Sequence, residues 1–381
     1  MKRSTDRILT THAGSLPRPE GLREIVAAKS TGQGVDEEDL NRRIRTGVAE
    51  VVQMQMQSGI DIVNDGELSK TSFTDYVRSR ISGFEEREMP PEERPTQDIA
   101  GRDMLEFPEY FATRAQVGAG RNPVYCTGPL RYTGQTAIQA DIDTFKAALQ
   151  DAQVEESFLP AVAPGTIEHW LRNEHYPDDE SYLFAIANAI HEEYKAIVDA
   201  GFLLQIDDPD LGDAWQIHSH MTVPEYHKFA EVRVDALNHA LRGIPAERVR
   251  LHVCWGSYHG PHLFDIPLRD IVDLILKVDA QAYSIEASNP RHDHEWKVWQ
   301  DVKLPDGKIL IPGVVGHSSD FVEHPELVAE RLLKYAGLVG RENVIAGTDC
   351  GLGTRVGHPK ITWAKFRAMT EGAELASKAL W

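Results

Sequence analysis

The sequence predicts an α/β fold: a single (β/α)8 TIM-type barrel with insertions, and three observations support this prediction. Short apolar runs recur along most of the 381-residue chain. Stretches with apolar residues at helical spacing separate several of these runs, and such alternation is typical of a parallel sheet. Chemically reactive side chains follow many of the runs, as they do where the strands of a barrel end.

Nine apolar runs are candidate strands. Most end in Gly, Pro, Ser or an acidic residue, which is typical of buried parallel strands followed by loops. They occupy residues 8–15, 61–67, 123–129, 158–165, 203–209, 249–256, 282–288, 308–315 and 344–351. Nine candidates for eight positions favour a closed barrel with one extra strand. A doubly wound open sheet is the alternative, but its nucleotide-binding form is disfavoured because the chain has no GxGxxG and no GxxxxGK[ST] motif.

Helices are predicted between several of these strands. Apolar residues at helical spacing occupy residues 41–58, 180–200, a stretch that ends near Leu241, 325–339 and 361–380. Thr222 and Glu225 form a capping-box pattern before the third of these helices. Residues 85–98 are charged and rich in proline, and we expect an exposed loop there. We therefore expect one domain over residues 1–381, with a loop insertion around 85–122.

Composition excludes several classes of partner. The formal net charge of −19 repels phosphate backbones and anionic membranes, so neither nucleic acid nor lipid is an expected partner. The chain has no run of 18 apolar residues and no secretory signal. Its three cysteines, Cys126, Cys254 and Cys350, fit a reducing compartment. We expect a cytoplasmic enzyme with small-molecule partners, and the sequence leaves a homo-oligomer open.

Six reactive side chains lie at or near the carboxyl ends of candidate strands. They are Ser15, Glu67, Asp207, Cys254, Glu286 and Cys350. In a barrel these ends converge on one face, where active sites are built. The sequence therefore predicts that the six side chains meet in one site.

Four residues are candidate metal ligands. His252 and Cys254 are two apart on one strand and share a face, while Glu286 and Cys350 end two other strands. Two sulfurs, one nitrogen and one oxygen suit tetrahedral Zn²⁺. The alternative is that a buried Cys and a buried His only fill the core. Spacing alone does not exclude four other histidines as ligands: His259, His262, His292 and His294. Of these, His292 and His294 could lie in a solvated loop.

Zinc in such a site could activate either water or a thiol. Two thiolate ligands donate charge to the metal, which weakens its action on water and leaves a bound thiolate nucleophilic. We therefore prefer thiol activation, while a zinc hydrolase on the same barrel remains an alternative.

Several motifs resemble the C-terminal catalytic barrel of cobalamin-independent methionine synthase, and the short single-barrel proteins related to it, over nearly the whole chain. The motifs are THAGSLPRP (11–19), NDGE (64–67), APGTIEHW (163–170), QIDDP (205–209), HVC (252–254), IEAS (285–288) and DCGLGTR (349–355). The resemblance implies a zinc-dependent methyltransferase that alkylates a thiol, expected to be homocysteine, to form a thioether such as methionine.

The resemblance also implies roles for individual residues. Gly14 and Ser15 would contact the homocysteine carboxylate, while Glu67 and Asp207 would hold its amino group. Trp170 would stack on a folate-like methyl donor. The remaining implied residues are the zinc ligands His252, Cys254, Glu286 and Cys350, and the general acid His317.

Three departures from the family affect the expected donor and site. The full-length enzyme has a second, N-terminal barrel for which 381 residues leave no room, so a polyglutamylated folate is not the expected donor. Asp208 stands where the family has Glu, and the segment between Cys254 and Glu286 is longer. Related barrels join epoxides to a sulfonate-bearing thiol, but two carboxylates, Glu67 and Asp207, would repel a sulfonate. A metal-free barrel such as a porphyrinogen decarboxylase is the remaining alternative.

Overall fold

Eight parallel strands form the wall of a barrel. The computed structural model describes residues 1–30, 33–72, 75–90, 101–113 and 122–381. The strands in these ranges are β1 (Leu9–Thr10), β2 (Ile62–Val63), β3 (Ile81–Glu86), β4 (Val124–Tyr132), β5 (Glu156–Val162), β6 (Arg172–Asn173), β7 (Leu203–Asp207), β8 (Val249–Val253), β9 (Ala282–Glu286), β10 (Ile309–Val315) and β11 (Ile345–Thr348). Eight of them pair in the order β1–β11–β10–β9–β8–β7–β5–β2.

The two ends of this sheet approach each other and nearly close the barrel. The Asp61 N–H donates to the Thr10 carbonyl at 3.2 Å. The Thr11 hydroxyl donates to the Ile62 carbonyl at 3.1 Å. Eight parallel strands in this arrangement confirm the predicted (β/α)8 TIM-type barrel.

Helices cover the outside of the barrel. The helices in the described ranges are α1 (Leu22–Ser30), α2 (Glu37–Gln57), α3 (Gly101–Glu106), α4 (Pro108–Ala112), α5 (Gln135–Ala148), α6 (Pro164–Trp170), α7 (Asp179–Asp199), α8 (Asp210–Ile217), α9 (Val223–Ala240), α10 (Val272–Lys277), α11 (Val298–Asp301), α12 (Pro325–Val339) and α13 (Pro359–Leu380). The five predicted helices correspond to α2, α7, α9, α12 and α13. The capping box is present, since the Glu225 carboxylate accepts from the Thr222 N–H at 2.8 Å.

The extra predicted strand lies outside the barrel. Residues 123–129 fall in β4, which pairs antiparallel with β3 and parallel with β6 in a separate sheet. Glu85 and Glu86 belong to β3, so the predicted loop at 85–98 starts two residues too early, and its residues 91–98 lie outside the described ranges. The insertion around 85–122 into a single domain stays a prediction.

A layer of apolar side chains closes the amino-terminal end of the barrel interior. Most of them are the first residues of barrel strands, and they form one buried cluster: Leu9, Ile62, Phe158, Leu203, Ala282, Ile309, Ile311 and Ile345. Above this floor, the buried guanidinium of Arg250 donates to the Thr11 hydroxyl at 2.8 Å and to the His12 carbonyl at 2.9 Å. Side chains therefore fill the amino-terminal end of the barrel interior, and the interior is open at the carboxyl-terminal ends of the strands. Within the described ranges, no helix has both the length and the apolar character that crossing a membrane requires.

Candidate active site

A cavity of about 510 Å³ opens at the carboxyl ends of the barrel strands. Its walls include six residues that the sequence singled out: Ser15, Glu67, Trp170, Asp207, Cys254 and Cys350. His252 also lines this cavity. The structure thus brings four of the five predicted substrate-binding residues, all except Gly14, and three of the predicted metal ligands to one space.

Three predicted metal ligands form one group at the base of the cavity. The ligand atoms of His252, Cys254 and Cys350 all lie within 4.8 Å of one another. His252 is in β8, Cys254 directly follows this strand, and Cys350 follows β11 by two residues. The Nε2 atom of His252 is buried and has no hydrogen-bond partner among the described residues.

A second group contains Cys254, Glu286 and His317, again with ligand atoms within 4.8 Å of one another. The four predicted ligands are thus split between two groups that share Cys254. The Glu286 carboxylate accepts from the Trp255 N–H and from the Asn289 amide, both at 3.1 Å. His317 follows β10 and is 1% exposed, with neither ring nitrogen bonded to a described residue. Its side chain is not part of the cavity wall.

The two thiols in the first group shift each other's pKa in opposite directions. The hydrogen bond from Cys254 lowers the pKa of Cys350 well below its ordinary value. The same bond, together with burial, raises the pKa of Cys254. The Ser257 hydroxyl donates to the Cys350 sulfur at 3.3 Å, which also favours a thiolate. A buried thiolate beside an unpartnered imidazole nitrogen is a donor set that fits Zn²⁺.

Two of the rival histidines belong to a separate buried network. Asp265 Oδ2 lies 2.9 Å from His262 Nδ1 and 3.1 Å from His292 Nε2, and Glu295 Oε2 lies 2.8 Å from His292 Nδ1. The prediction that His292 lies in a solvated loop is therefore wrong, because Asp265, 27 residues away, and the nearby Glu295 hold it inside the protein.

The other two rivals, His259 and His294, are exposed. None of the four rival histidines belongs to a potential metal-binding group found within the described residues.

Gly14 allows a close approach between two loops of the site. A Cβ atom at Gly14 would lie 2.6 Å from Glu67 Oε1, and its φ of +132° disfavours any other residue. Ser15, its neighbour, lines the cavity, and neither its N–H nor its hydroxyl has a hydrogen-bond partner among the described residues. Unpartnered donors at this position can bind an anionic group of a ligand.

Glu67 and Asp207 are buried carboxylates of the same cavity. Glu67 has φ +57°, an unusual left-handed conformation for a residue with a side chain, and its N–H donates to Asp65 Oδ1 at 3.0 Å. Asp207 Oδ1 accepts from the Gln205 amide at 2.7 Å. Burial, strengthened by the charge of Glu67, raises the pKa of Asp207 to about 7. The pair can stabilise a cation, and strain at such a position is common in functional sites.

Trp170 lines the cavity at the end of α6, next to Leu171 and near Ile167 of the same helix. This wall offers an apolar surface against which a flat ring could pack. Asp208, the residue that departs from the family pattern, is buried but is not part of the cavity wall.

Sequence reasoning missed several polar residues of the site. Lys70 is three residues after Glu67, and its Nζ lies 3.7 Å from Glu67 Oε2. Gln205 could have been found, because it shares a strand face with Asp207. Ser257 lies in the long segment after β8, where no pattern indicates its contact with Cys350.

These features describe an α/β barrel whose cavity combines a cysteine-rich cluster of candidate metal ligands with a carboxylate pair. The sequence matches the family described as cobalamin-independent synthase, catalytic domain, over residues 8–89 and 124–375. The chain belongs to this family, as the sequence motifs predicted, and it is a methyltransferase.

Relatives and solved structures agree with this assignment. The methionine synthases of Sulfolobus acidocaldarius and Pyrococcus furiosus are 27% and 26% identical, and each alignment covers 97% of this chain and 93% of the relative. A B12-independent methionine synthase from Shewanella, solved in complex with selenomethionine, has a TM-score of 0.76 at 21% identity and covers 98% of this chain and 99% of that one. A putative B12-independent methionine synthase from Listeria monocytogenes has a TM-score of 0.67 at 17% identity and covers 97% and 98%. The solved structures show that the fold is shared.

Proposed function

We propose that the protein transfers a methyl group to the sulfur of homocysteine and forms methionine, with a zinc ion at the base of the cavity. The observation that carries the proposal is the presence, in one cavity, of a thiol-rich ligand group and a carboxylate pair. A thiol and an ammonium on one small molecule could be bound at these two places together. The curated relatives named methionine synthase support this acceptor.

His252, Cys254 and Cys350 would hold the metal, with Glu286 as the fourth ligand. Two observations support zinc binding by these residues: the unpartnered Nε2 of His252 and the lowered pKa of Cys350. A bound cation would stabilise both groups. Zinc bound there would supply a Lewis acid that keeps a substrate thiol deprotonated near neutral pH. The Trp255 N–H and the Asn289 amide orient the Glu286 carboxylate.

The chain's own residues would position the acceptor. Glu67 and Asp207 would bind its ammonium, and the unpartnered N–H and hydroxyl of Ser15 would bind its carboxylate. Gly14 lets the Ser15 loop approach Glu67 closely enough for both groups of one amino acid to be bound. Holding the sulfur in a fixed direction contributes to the rate because the methyl group must be attacked in line.

On the donor side, Trp170 would stack against a flat ring of the methyl donor. We keep His317 as the general acid that protonates the leaving group, a role typically worth 10²–10⁴-fold in rate. Its two unpartnered ring nitrogens support a proton-transfer role, while its position beside Cys254 and Glu286 makes metal binding the competing role.

We also propose that the chain acts in the cytoplasm, as a single barrel domain with an insertion around residues 85–122. Two observations support this. The family match omits residues 90–123, and all three cysteines are unpaired.

Methyl transfer to homocysteine by the zinc-loaded protein is the direct test. Methionine should form from homocysteine and a methyl donor, and removal of zinc with a chelator should abolish its formation. A panel of methyl-folate, an S-methyl compound and methyl-cobalamin would identify the donor. Water-dependent hydrolysis that homocysteine only inhibits would instead support the zinc hydrolase.

A further inference from the structure

Arg355 is a cavity-lining cation with no counter-ion among the described residues. It lies in the segment that follows Cys350, and it lines the same cavity as Glu67. Its Nε is buried without a partner, and no carboxylate among the described residues pairs with it. Burial lowers the pKa of Arg355, and the charge of Cys350 opposes this effect, so the guanidinium is within electrostatic reach of the metal-ligand group. Arginine stays charged in proteins, so this side chain requires an anion, and the described residues do not provide one.

Three other cations of the cavity wall have partners in the protein, and a fourth, Arg172, is exposed. Lys70 pairs with Glu67, and Arg78 pairs with Glu86. Arg18 donates to main-chain carbonyls of the Glu67–Lys70 turn, including that of Leu68. Arg355 is thus a half-buried cation of the wall that remains available to a ligand.

The position of Arg355 relative to Ser15 is fixed by packing. A Cβ atom on Gly351 would lie 2.3 Å from Ser15 Oγ and 3.0 Å from Ser15 N. A Cβ atom on Gly353 would lie 2.7 Å from the Leu16 carbonyl oxygen. The segment that carries Arg355 therefore lies directly against the segment that carries the unpartnered Ser15 N–H.

We propose that Arg355 binds the α-carboxylate of the amino-acid acceptor, together with the N–H of Ser15. The inference rests on the proposed function, because it takes the acceptor to be a zwitterionic thiol. Glu67 and Asp207 would bind the ammonium, and Arg355 would bind the opposite charge on the same carbon. A guanidinium can donate two parallel hydrogen bonds to a carboxylate, so it would fix the orientation as well as the charge of the acceptor.

The test compares two thiols in binding to the zinc-loaded protein, measured by calorimetry. Homocysteine has the carboxylate, and 3-amino-1-propanethiol has the same thiol and amine without it. Arg355→Gln should weaken homocysteine binding about tenfold to a hundredfold, as expected for a hydrogen bond to a charged group. Binding of 3-amino-1-propanethiol should change less than threefold. Arg355→Lys should retain part of the preference for homocysteine over 3-amino-1-propanethiol, because lysine keeps the positive charge but lacks the two parallel donors.

Arg172→Gln is the matched control, because Arg172 is an exposed cation of the same cavity wall on β6. It should leave the ratio of the two affinities unchanged. Zinc content should remain near one equivalent in all variants.

Three results would overturn the assignment. Equal weakening of both thiols by Arg355→Gln would indicate a structural role. A rise in the KM of the methyl donor, with acceptor binding unchanged, would assign Arg355 to an anionic group of the donor. If Arg172→Gln lowers the ratio of the affinities for the two thiols as much as Arg355→Gln does, the effect is a general effect of charge. If wild-type protein binds neither thiol, the proposed function itself has failed.

Discussion

The ammonium group of Lys70 lies 3.7 Å from Oε2 of Glu67, and both side chains are buried in the wall of the cavity. This internal cation reduces the negative charge at the position proposed for the substrate ammonium. Asp207 therefore has to contribute the second negative charge. Since its pKa is about 7, Asp207 is partly protonated at neutral pH, and an incoming ammonium would favour its ionised form.

Glu67→Gln and Asp207→Asn should each raise the Kd for homocysteine about tenfold or more, because each removes a buried charge from the ammonium site. Zinc content should not change. The affinity of 4-mercaptobutanoate, which lacks the amine, should be unaffected or improved. If both variants bind homocysteine as wild type does, the ammonium site is elsewhere, and thiols that bear a sulfonate become better candidates.

Cys350→Ser and His252→Ala should lose zinc and activity together, because they remove donors from the group at the base of the cavity. Cys126→Ser is the matched control, since Cys126 lies in the separate sheet, where its thiol donates to the Gly128 carbonyl. Metal analysis of the purified variants is the measurement. Full zinc retention in both ligand variants would refute the assigned site.

His317→Gln separates proton transfer from metal binding. If His317 is the general acid, the variant should retain its zinc fully, and its kcat should fall about 10²–10⁴-fold. The loss should depend on the basicity of the donor's leaving group. Loss of zinc in this variant would instead make His317 a metal ligand, as its place beside Cys254 and Glu286 allows.

Homocysteine should add one sulfur to the first shell of the zinc. It should also release about one proton per site near neutral pH, since a free thiol has a pKa of about 8.5. X-ray absorption during a titration with homocysteine, together with proton release in weak buffer, would measure both. Glu286 is the ligand expected to loosen, because carboxylate is the hardest donor of the set. A sulfur count that stays at two under saturating thiol would contradict thiol activation.

His292 should stabilise the protein in a pH-dependent way. Burial opposes its charge, but hydrogen bonds to Asp265 and Glu295 raise its pKa to about 10. A raised histidine pKa stabilises the folded state fully below the unfolded value of about 6.5, and this contribution disappears as the pH rises through 10.

His292→Gln should therefore lower the free energy of unfolding by about 2–4 kcal/mol at pH 6, because it removes the buried cation that lies between the carboxylates of Asp265 and Glu295. The difference from wild type should shrink as the pH approaches 10. Urea unfolding at both pH values would measure it. His294→Gln is the control, as this neighbour is exposed. A difference that stays constant with pH would show that folding does not raise the pKa of His292.

The 381-residue chain alone should use polyglutamylated methyl-folate poorly. A formal net charge of −19 repels a tail that carries several carboxylates. Comparison of kcat/KM for mono- and triglutamate donors at two salt concentrations would test this. A triglutamate donor that is used more efficiently than the monoglutamate at low salt would contradict the expectation.

The barrel strands and the base of the site could be predicted because local patterns encode them. The runs at β7 through β11 are mostly apolar, and the HVC motif places His252 and Cys254 together. The placement of β4 could not be predicted, because its composition is that of a barrel strand and only its pairing with β3 and β6 distinguishes it.

The rest of the site depends on contacts between distant segments. His292 lies in the polar segment NPRHDHEW, which has the composition of a loop, and its burial depends on Asp265, 27 residues away. The partner of Ser257, Cys350, is 93 residues away. The sequence likewise placed Glu286 with Cys350, whereas side-chain direction groups it with Cys254 and His317.

Because apolar side chains fill the amino-terminal end of the barrel, every reactant would have to use the same opening. Acceptor, donor, methylated product and spent donor would all pass through the opening at the strand ends, because the cluster that includes Phe158 and Ile311 blocks the other end. Whichever molecule sits deepest must enter first and leave last. Because the thiol site lies at the base of the cavity, methionine that remains bound there would prevent the next homocysteine from binding. The release of methionine would then govern the turnover rate, and methionine would inhibit competitively against the acceptor.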